Sequence, residues 1–253
     1  MKTSGKTVLI TGGGSGIGLA LAERFYKAGN KVIICGRRKD RLQEAKERFP
    51  NLYTVVCDLT NEADRQSLFN IVVNEFPDMD VLVNNAGIQQ RVNLHSLSAD
   101  WSYYHQEIVA NLEAPIHLTM LFLPHLMNKQ EGTVINVSSN LGVTPAAWVP
   151  IYSATKAAMH SFTMSLRLQL ADTNVNIVEV MPTAINTDLG GVGLHTFGVP
   201  VDEFADAVFA GFENGYMEIG YAGSEKTIRA SRDEIDEGAK RMWQNFIKNN
   251  PKF

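Results

Sequence analysis

The sequence predicts an α/β fold: a doubly wound, mostly parallel sheet of about seven strands with helices on both faces. Three observations predict it. Short β-branched apolar runs alternate with helix-length segments of 3.6-residue periodicity. The first run opens directly into a glycine-rich loop, Thr11-Gly-Gly-Gly-Ser-Gly-Ile-Gly18. No linker-like composition or internal repeat divides the 253 residues, so residues 1–253 are expected to form one domain.

The elements follow in order. Thr7–Ile10 is the first strand. Gly18–Lys27 is helical, with apolar Leu19, Leu21, Ala22, Phe25 and Tyr26, and Gly29-Asn30 marks its end. Lys31–Cys35 is the second strand and Arg38–Phe49 a charged helix stopped by Pro50. Leu52–Cys57, a helix over Ala63–Phe76, and the strand Val81–Asn84 come next. A long helical region from about Ser98 to Met127 is expected to bend or break at Pro115 and Pro124. Thr133–Val137 is a strand, Ile151–Leu170 a long helix and Val175–Met181 the sixth strand. Val201–Phe212 is helical, Tyr216–Ile219 strand-like and Lys226–Ile247 mostly helical. Strands separated by helices pair in parallel through right-handed crossovers, which puts the ligand crevice at their carboxyl ends where strand order reverses.

Composition narrows the function. A net charge of −4 with no Lys/Arg block argues against a nucleic-acid surface. Apolar residues make up 45% of the chain, enough for a sizeable core, but no run of about 18 apolar residues suggests a membrane span. The residues before the first strand do not read as a separate signal-peptide region, and none is expected. Cys35 and Cys57 each end an apolar run and are expected to be reduced core thiols of a cytoplasmic protein. The six histidines have no spacing that sets two ligands on one helix face, so no metal site is assigned.

The glycine loop between strand and helix suits a dinucleotide. Glycine lets main chain approach a pyrophosphate, and the helix N-terminus faces the anion with free amides. Gly12, Ser15, Gly16, Ile17 and Gly18 are the candidate contacts. Its spacing differs from G-x-G-x-x-G. The second strand ends Cys35-Gly36-Arg37-Arg38, with no acid to accept from a free ribose. Arg37 and Arg38 can fork onto a 2′-phosphate, which favours NADP(H) over NAD(H); the alternative is a pair of solvated helix-start residues. Asp58, followed by Leu59, either meets the adenine amino group or caps the next helix. Asn84-Asn85-Ala86-Gly87 is a small polar turn suited to a coenzyme passing close to backbone.

Tyr152 and Lys156 stand four residues apart on a helix and share a face. An ammonium beside a phenol lowers its pKa from about 10. Just upstream, Thr133–Ser139 ends in Ser138 and Ser139 at the edge where the coenzyme is expected.

As a set, Thr11-Gly-x-x-x-Gly-x-Gly18, Asn84-Asn-Ala-Gly87, Asn111, Ser139 and Tyr152-x-x-x-Lys156 resemble the single-domain branch of the short-chain dehydrogenase/reductase family. The segments Asn30–Arg37, Asn84–Gln89 and Ala154–Ala158 are similar to DltE-like oxidoreductases within it. The resemblance implies a Rossmann-type fold and a bacterial cytosolic reductase. It implies Tyr152 as general acid or base, Ser139 on the substrate oxygen with Ser138 as runner-up, and Lys156 on the nicotinamide ribose. Asn111 would hold a water linking Lys156 to solvent. Pro182, Ile185 and Thr187 would meet the nicotinamide, although Thr183 stands where the family commonly has glycine. The glycine-rich stretch at about 189–200 would be a substrate loop. Leu141, Trp148, Val149, Leu194 and Phe197 hint at a small, fairly apolar carbonyl compound or alcohol, and His195 stays outside the catalytic set. The helices starting near Ser98 and Ile151 would pair between subunits in a homodimer or homotetramer. The competing readings are a non-catalytic dinucleotide sensor and an interaction protein on the same fold.

Overall fold

The computed structural model of the protein describes residues 1–253. Its strands are β1 (Thr7–Thr11), β2 (Lys31–Gly36), β3 (Tyr53–Val56), β4 (Met79–Asn84), β5 (Gly132–Val137), β6 (Val175–Met181) and β7 (Glu218–Gly220). They form one seven-stranded sheet in the order β3-β2-β1-β4-β5-β6-β7, and every neighbouring pair is parallel. The helices are α1 (Gly16–Lys27), α2 (Lys39–Arg48), α3 (Glu62–Glu75), α4 (Trp101–Ile108), α5 (Ala114–Met127), α6 (Pro150–Gln169), α7 (Val201–Glu213), α8 (Ser224–Thr227) and α9 (Arg232–Asn249).

Side chains alternate across the strands, so each strand feeds two apolar layers. Val8 and Ile10 join Leu21 and Phe25 of α1 and Phe204, Val208 and Phe212 of α7 on one face. Leu9 and Ile33 join Leu68 and Val72 of α3, Leu118 and Phe122 of α5 and Leu166 of α6 on the other. Strand order reverses between β1 and β4, where the glycine loop emerges.

Two expected elements differ in detail. The region around Pro115 does not break; it widens into a π-helical turn over Val109–Glu113 between α4 and α5. Proline has no N–H to give to the carbonyl four residues back, here Asn111, so the helix there accommodates an extra residue instead of closing its usual ring. The last helical stretch is divided into α8 and α9, because Ser231 starts α9 with a reciprocal capping box to Glu234.

Candidate active site

Residues at the carboxyl ends of β1 and β4 are stitched together by hydrogen bonds. The Thr11 hydroxyl donates to the Val83 carbonyl at 3.1 Å and accepts from the Asn85 and Ala86 amides at 2.9 and 3.0 Å. Gly12 has φ +66°, and a Cβ there would lie 2.9 Å from Ala86 Cα. At Gly18 an added Cβ would lie 2.4 Å from both the Gly12 carbonyl and Asn85 Nδ2. The glycines therefore bring three backbone segments closer than side chains permit.

Beyond this turn, α1 begins without a local partner for its first amides. Ser15 makes no side-chain capping bond and no acid stands in the first turn. Partly buried Gly16 and Ile17 continue the loop, and an added Cβ on Gly16 would meet Thr187 Cγ2 at 3.4 Å. This cradle, with its free amides, fits a dinucleotide pyrophosphate. Arg37 is exposed past Gly36, while Arg38 at the start of α2 donates to the Ser15 hydroxyl at 2.8 Å. The basic edge thus reaches back to the glycine loop.

Asp58 does not cap α3. Asn61 does so, accepting from the Ala63 and Asp64 amides. Asp58 Oδ1 instead accepts from the amide and hydroxyl of Thr60, at 3.0 and 2.8 Å, so it orders its own turn. Leu59 beside it is buried, and its carbonyl accepts from Arg65. Ile185 is also buried within the apolar layer against α1 and α7, while Pro182 is buried and Thr187 half-buried.

Tyr152 and Lys156, on the first turns of α6, are 6% and 4% exposed. Lys156 Nζ lies 5.5 Å from the centre of the Tyr152 ring and donates to the Val137 carbonyl at 2.8 Å. A Cβ on Gly87 would be 3.8 Å from Lys156 Nζ and 3.1 Å from Asn111 Oδ1, which brings the β4 turn to the same spot. Asn111 lies inside the π-helical turn; its Oδ1 accepts from the Ile88 amide and its Nδ2 donates to the Ile88 carbonyl, both at 2.9 Å. Ser139 is buried at the end of β5, its oxygen accepting from the Leu141 amide at 3.1 Å. The Ser138 hydroxyl donates to Glu179 Oε1 at 2.6 Å, so the runner-up serine is already committed.

The electrostatics depart from the sequence expectation. The Tyr152 phenol is not lowered by its neighbour: burial pushes it well above its ordinary value, Ser139 opposes this, and Glu107 adds to it. Burial also lowers the Lys156 ammonium to about 8, against the pull of Glu107 and Glu179. Removal from water disfavours the charged form of each group, and this is the largest cause of both shifts.

Sequence reasoning missed two buried acids whose charges act on this pair, Glu107 on both groups and Glu179 on Lys156. Glu179 on β6 is fully buried, and His160 Nδ1 approaches its Oε2 at 2.9 Å. Glu107 on α4 is fully buried and accepts from the Gln90 amide at 3.0 Å. A charged residue in the otherwise apolar run Val175–Met181 was the available signal for Glu179. Glu107 gave none.

At the mouth, Val149 and Ala146 pack with Tyr152, while Leu141, Trp148 and Leu189 are partly buried against them. Trp148 stacks on Phe246 of α9, ring centroids 4.6 Å apart and 5° from parallel. Phe197 is 78% exposed and so does not line this wall. Near its far end the 189–200 segment is held by a bridge from Val199 back to Ile185. No helix is long and apolar enough to cross a membrane.

The chain is similar to known proteins over most of its length. The family model described as short chain dehydrogenase matches residues 6–192. DltE of Bacillus subtilis strain 168, described as an uncharacterized oxidoreductase, is 41% identical over 241 residues, which cover 93% of this chain and 96% of DltE. YdfG of Escherichia coli strain K12, an NADP-dependent 3-hydroxy acid dehydrogenase, is 31% identical over 91% of this chain and 86% of its own. Among solved structures, a short-chain dehydrogenase from Sphingobium yanoikuyae in complex with NADPH superposes with a TM-score of 0.79 at 27% identity, covering 92% of this chain and 95% of that one. On the family match over residues 6–192 and the 41% identity to DltE over nearly the whole chain, the chain belongs to the short-chain dehydrogenase family of oxidoreductases.

Proposed function

We propose that the protein is an NADP(H)-dependent oxidoreductase that interconverts a small carbonyl compound and its alcohol, with Tyr152 as the general acid or base. The observation that carries this reading is the convergence of Ser139, Tyr152 and Lys156 beside Gly87 and Asn111, next to the glycine cradle. Nicotinamide, when bound, supplies the hydride. Ser139 orients the substrate oxygen, and Tyr152 gives that oxygen its proton during reduction. A phenol that burial keeps protonated is in the form a donor needs. Lys156 holds the nicotinamide ribose, and Asn111 fixes the β4 turn beside it. Arg37 and Arg38 take the 2′-phosphate, a reading supported by the absence of an acid after Gly36.

In this reading residues 1–253 act as one cytoplasmic domain with the 189–200 segment as its substrate loop. Exposed Met120, Met164 and Leu168 on α5 and α6 support pairing of those helices in a homodimer or homotetramer. The test is a screen of the purified protein with NADPH against aldehydes, ketones and diketones. At least one class should drive NADPH consumption faster than NADH; consumption with none of them overturns the reading.

A further inference from the structure

The sheet-facing side of α6 carries a polar contact on every turn. Lys156 donates to the Val137 carbonyl of β5 at 2.8 Å, and His160 Nδ1 donates to Glu179 Oε2 of β6 at 2.9 Å. Thr163 accepts from Asn136 of β5 at 2.9 Å, and Arg167 donates to the Ile177 carbonyl of β6 at 3.1 Å. Positions 156, 160, 163 and 167 follow one face of the helix, and Tyr152 is the next position toward the site.

Glu179 stands out among these contacts because it is a fully buried acid. Both its oxygens are engaged: the Ser138 hydroxyl donates to Oε1 at 2.6 Å, and His160 Nδ1 reaches both. Apolar packing holds a helix to a sheet without the cost of burying a carboxyl, and Leu166 of α6 already supplies it. What a satisfied polar chain adds is a fixed distance and direction. Here it fixes the distance between the two halves of the site. Ser138 lies between Val137, whose carbonyl holds Lys156, and Ser139, while His160 is one helical turn beyond Lys156. The turn after Ser139 is seated on the same helix, since a Cβ on Gly142 would come within 2.7 Å of the Lys156 carbonyl.

Lys156 cannot serve as that tie during turnover. In the reading of Lys156 as the ribose ligand, on which this inference rests, its ammonium leaves the Val137 carbonyl for the coenzyme. The contact nearest the site that the coenzyme does not claim is the one at His160. We propose that His160 and Glu179 are positioning residues: the chain His160–Glu179–Ser138 keeps Tyr152 on α6 in register with Ser139 after β5 once Lys156 has turned to the coenzyme.

The test is the rate of carbonyl reduction, with NADPH affinity measured alongside, in His160→Leu and His160→Asn. Leucine cuts the chain and leaves the Glu179 carboxyl, whose charge acts on Lys156, in place. Asparagine returns an N–H close to the position of Nδ1. His160→Leu should lower kcat by roughly 10- to 100-fold, the scale of an ångström-sized misplacement, with NADPH affinity as in the parent. His160→Asn should recover most of the loss. Adding Ser138→Ala to His160→Leu should cost little more, because both cut one chain. An unchanged kcat in His160→Leu, a loss shared by NADPH binding, or no recovery by asparagine overturns the proposal. An additive effect of Ser138→Ala overturns it too, by showing that Ser138 acts on its own. A second measurement needs neither turnover nor coenzyme. Lys156→Met cuts the other tie, so amide hydrogen exchange of residues 140–144 should rise by no more than about threefold in Lys156→Met or His160→Leu alone, and by at least about 30-fold when they are combined. A combined rise no greater than the product of the two single ones overturns the proposal. If the parent reduces no carbonyl compound, the proposed function fails, while the exchange measurement still decides whether the two ties share one load.

Discussion

At the carboxyl end of β1 the groups facing the cleft are backbone: the amides of the glycine loop and of the first turn of α1. Around the ends of β4, β5 and β6 the polar groups are instead buried side chains, Ser139 after β5, Glu179 in β6, and Glu107, Asn111, Tyr152 and Lys156 on the neighbouring helical turns. The first region is a shape made by missing Cβ atoms over an apolar layer. The second is a set of polar and charged groups in which Glu107 acts on Tyr152 and Lys156, and Glu179 on Lys156. Backbone cradles tolerate little change in volume and are indifferent to pH; buried titratable clusters tolerate shape changes better than charge changes.

The comparison breaks most visibly at Tyr152. Tyr152→Phe removes one hydroxyl and no packing, so the protein should fold and bind NADPH as before. Its turnover should fall by about 10²–10⁴-fold in a steady-state assay, the usual worth of a positioned proton donor. Gly18→Ala does the reverse. Its methyl has no room beside Gly12 and Asn85, so thermal unfolding should show a loss of about 1–3 kcal/mol, and NADPH binding should weaken with it. Retained stability would mean the loop is more yielding than its contacts imply. Arg37→Ala should weaken NADPH by about tenfold while leaving NADH unchanged, measured by fluorescence titration. Equal affinities in the parent would remove the basis for that preference.

The smallest effect sharpens the pH side of the contrast. Its hydrogen bond to Glu179 raises His160 above 6.5, against the effect of burial. A cation favoured by folding contributes stability that is fully present below the unfolded value and is lost as pH rises through the raised folded one. Chemical denaturation midpoints should therefore fall slightly across that window, and Glu179→Gln should flatten the slope. No dependence traceable to His160 would show that the pair titrates alike folded and unfolded.

Much of this was legible because it is written locally. The alternation of β-branched runs with 3.6-residue stripes located the strands to within a residue or two, and Val175–Met181 matched at both ends. The glycine loop and the Tyr152–Lys156 spacing carry their geometry in adjacent letters. What was not legible depends on distant partners. The widened turn at Asn111 adds one residue to a helix, a change that apolar periodicity does not register even with Pro115 beside it. Asp58 and Asn61 are both good capping residues, and only the chain path decides that Asn61 caps. Glu107 reads as an ordinary helical acid until the segment after β4 folds over it. The direction of the Tyr152 shift was missed for the same reason: spacing reveals the ammonium nearby, whereas burial is a property of the whole fold.

The most direct test is a crystal structure of the protein with NADPH bound. The nicotinamide should lie at the Ser139 end of the cleft, with the Tyr152 hydroxyl beside it and Lys156 Nζ drawn from the Val137 carbonyl to the ribose. A dinucleotide whose nicotinamide sits out of reach of the Tyr152 hydroxyl would contradict the account.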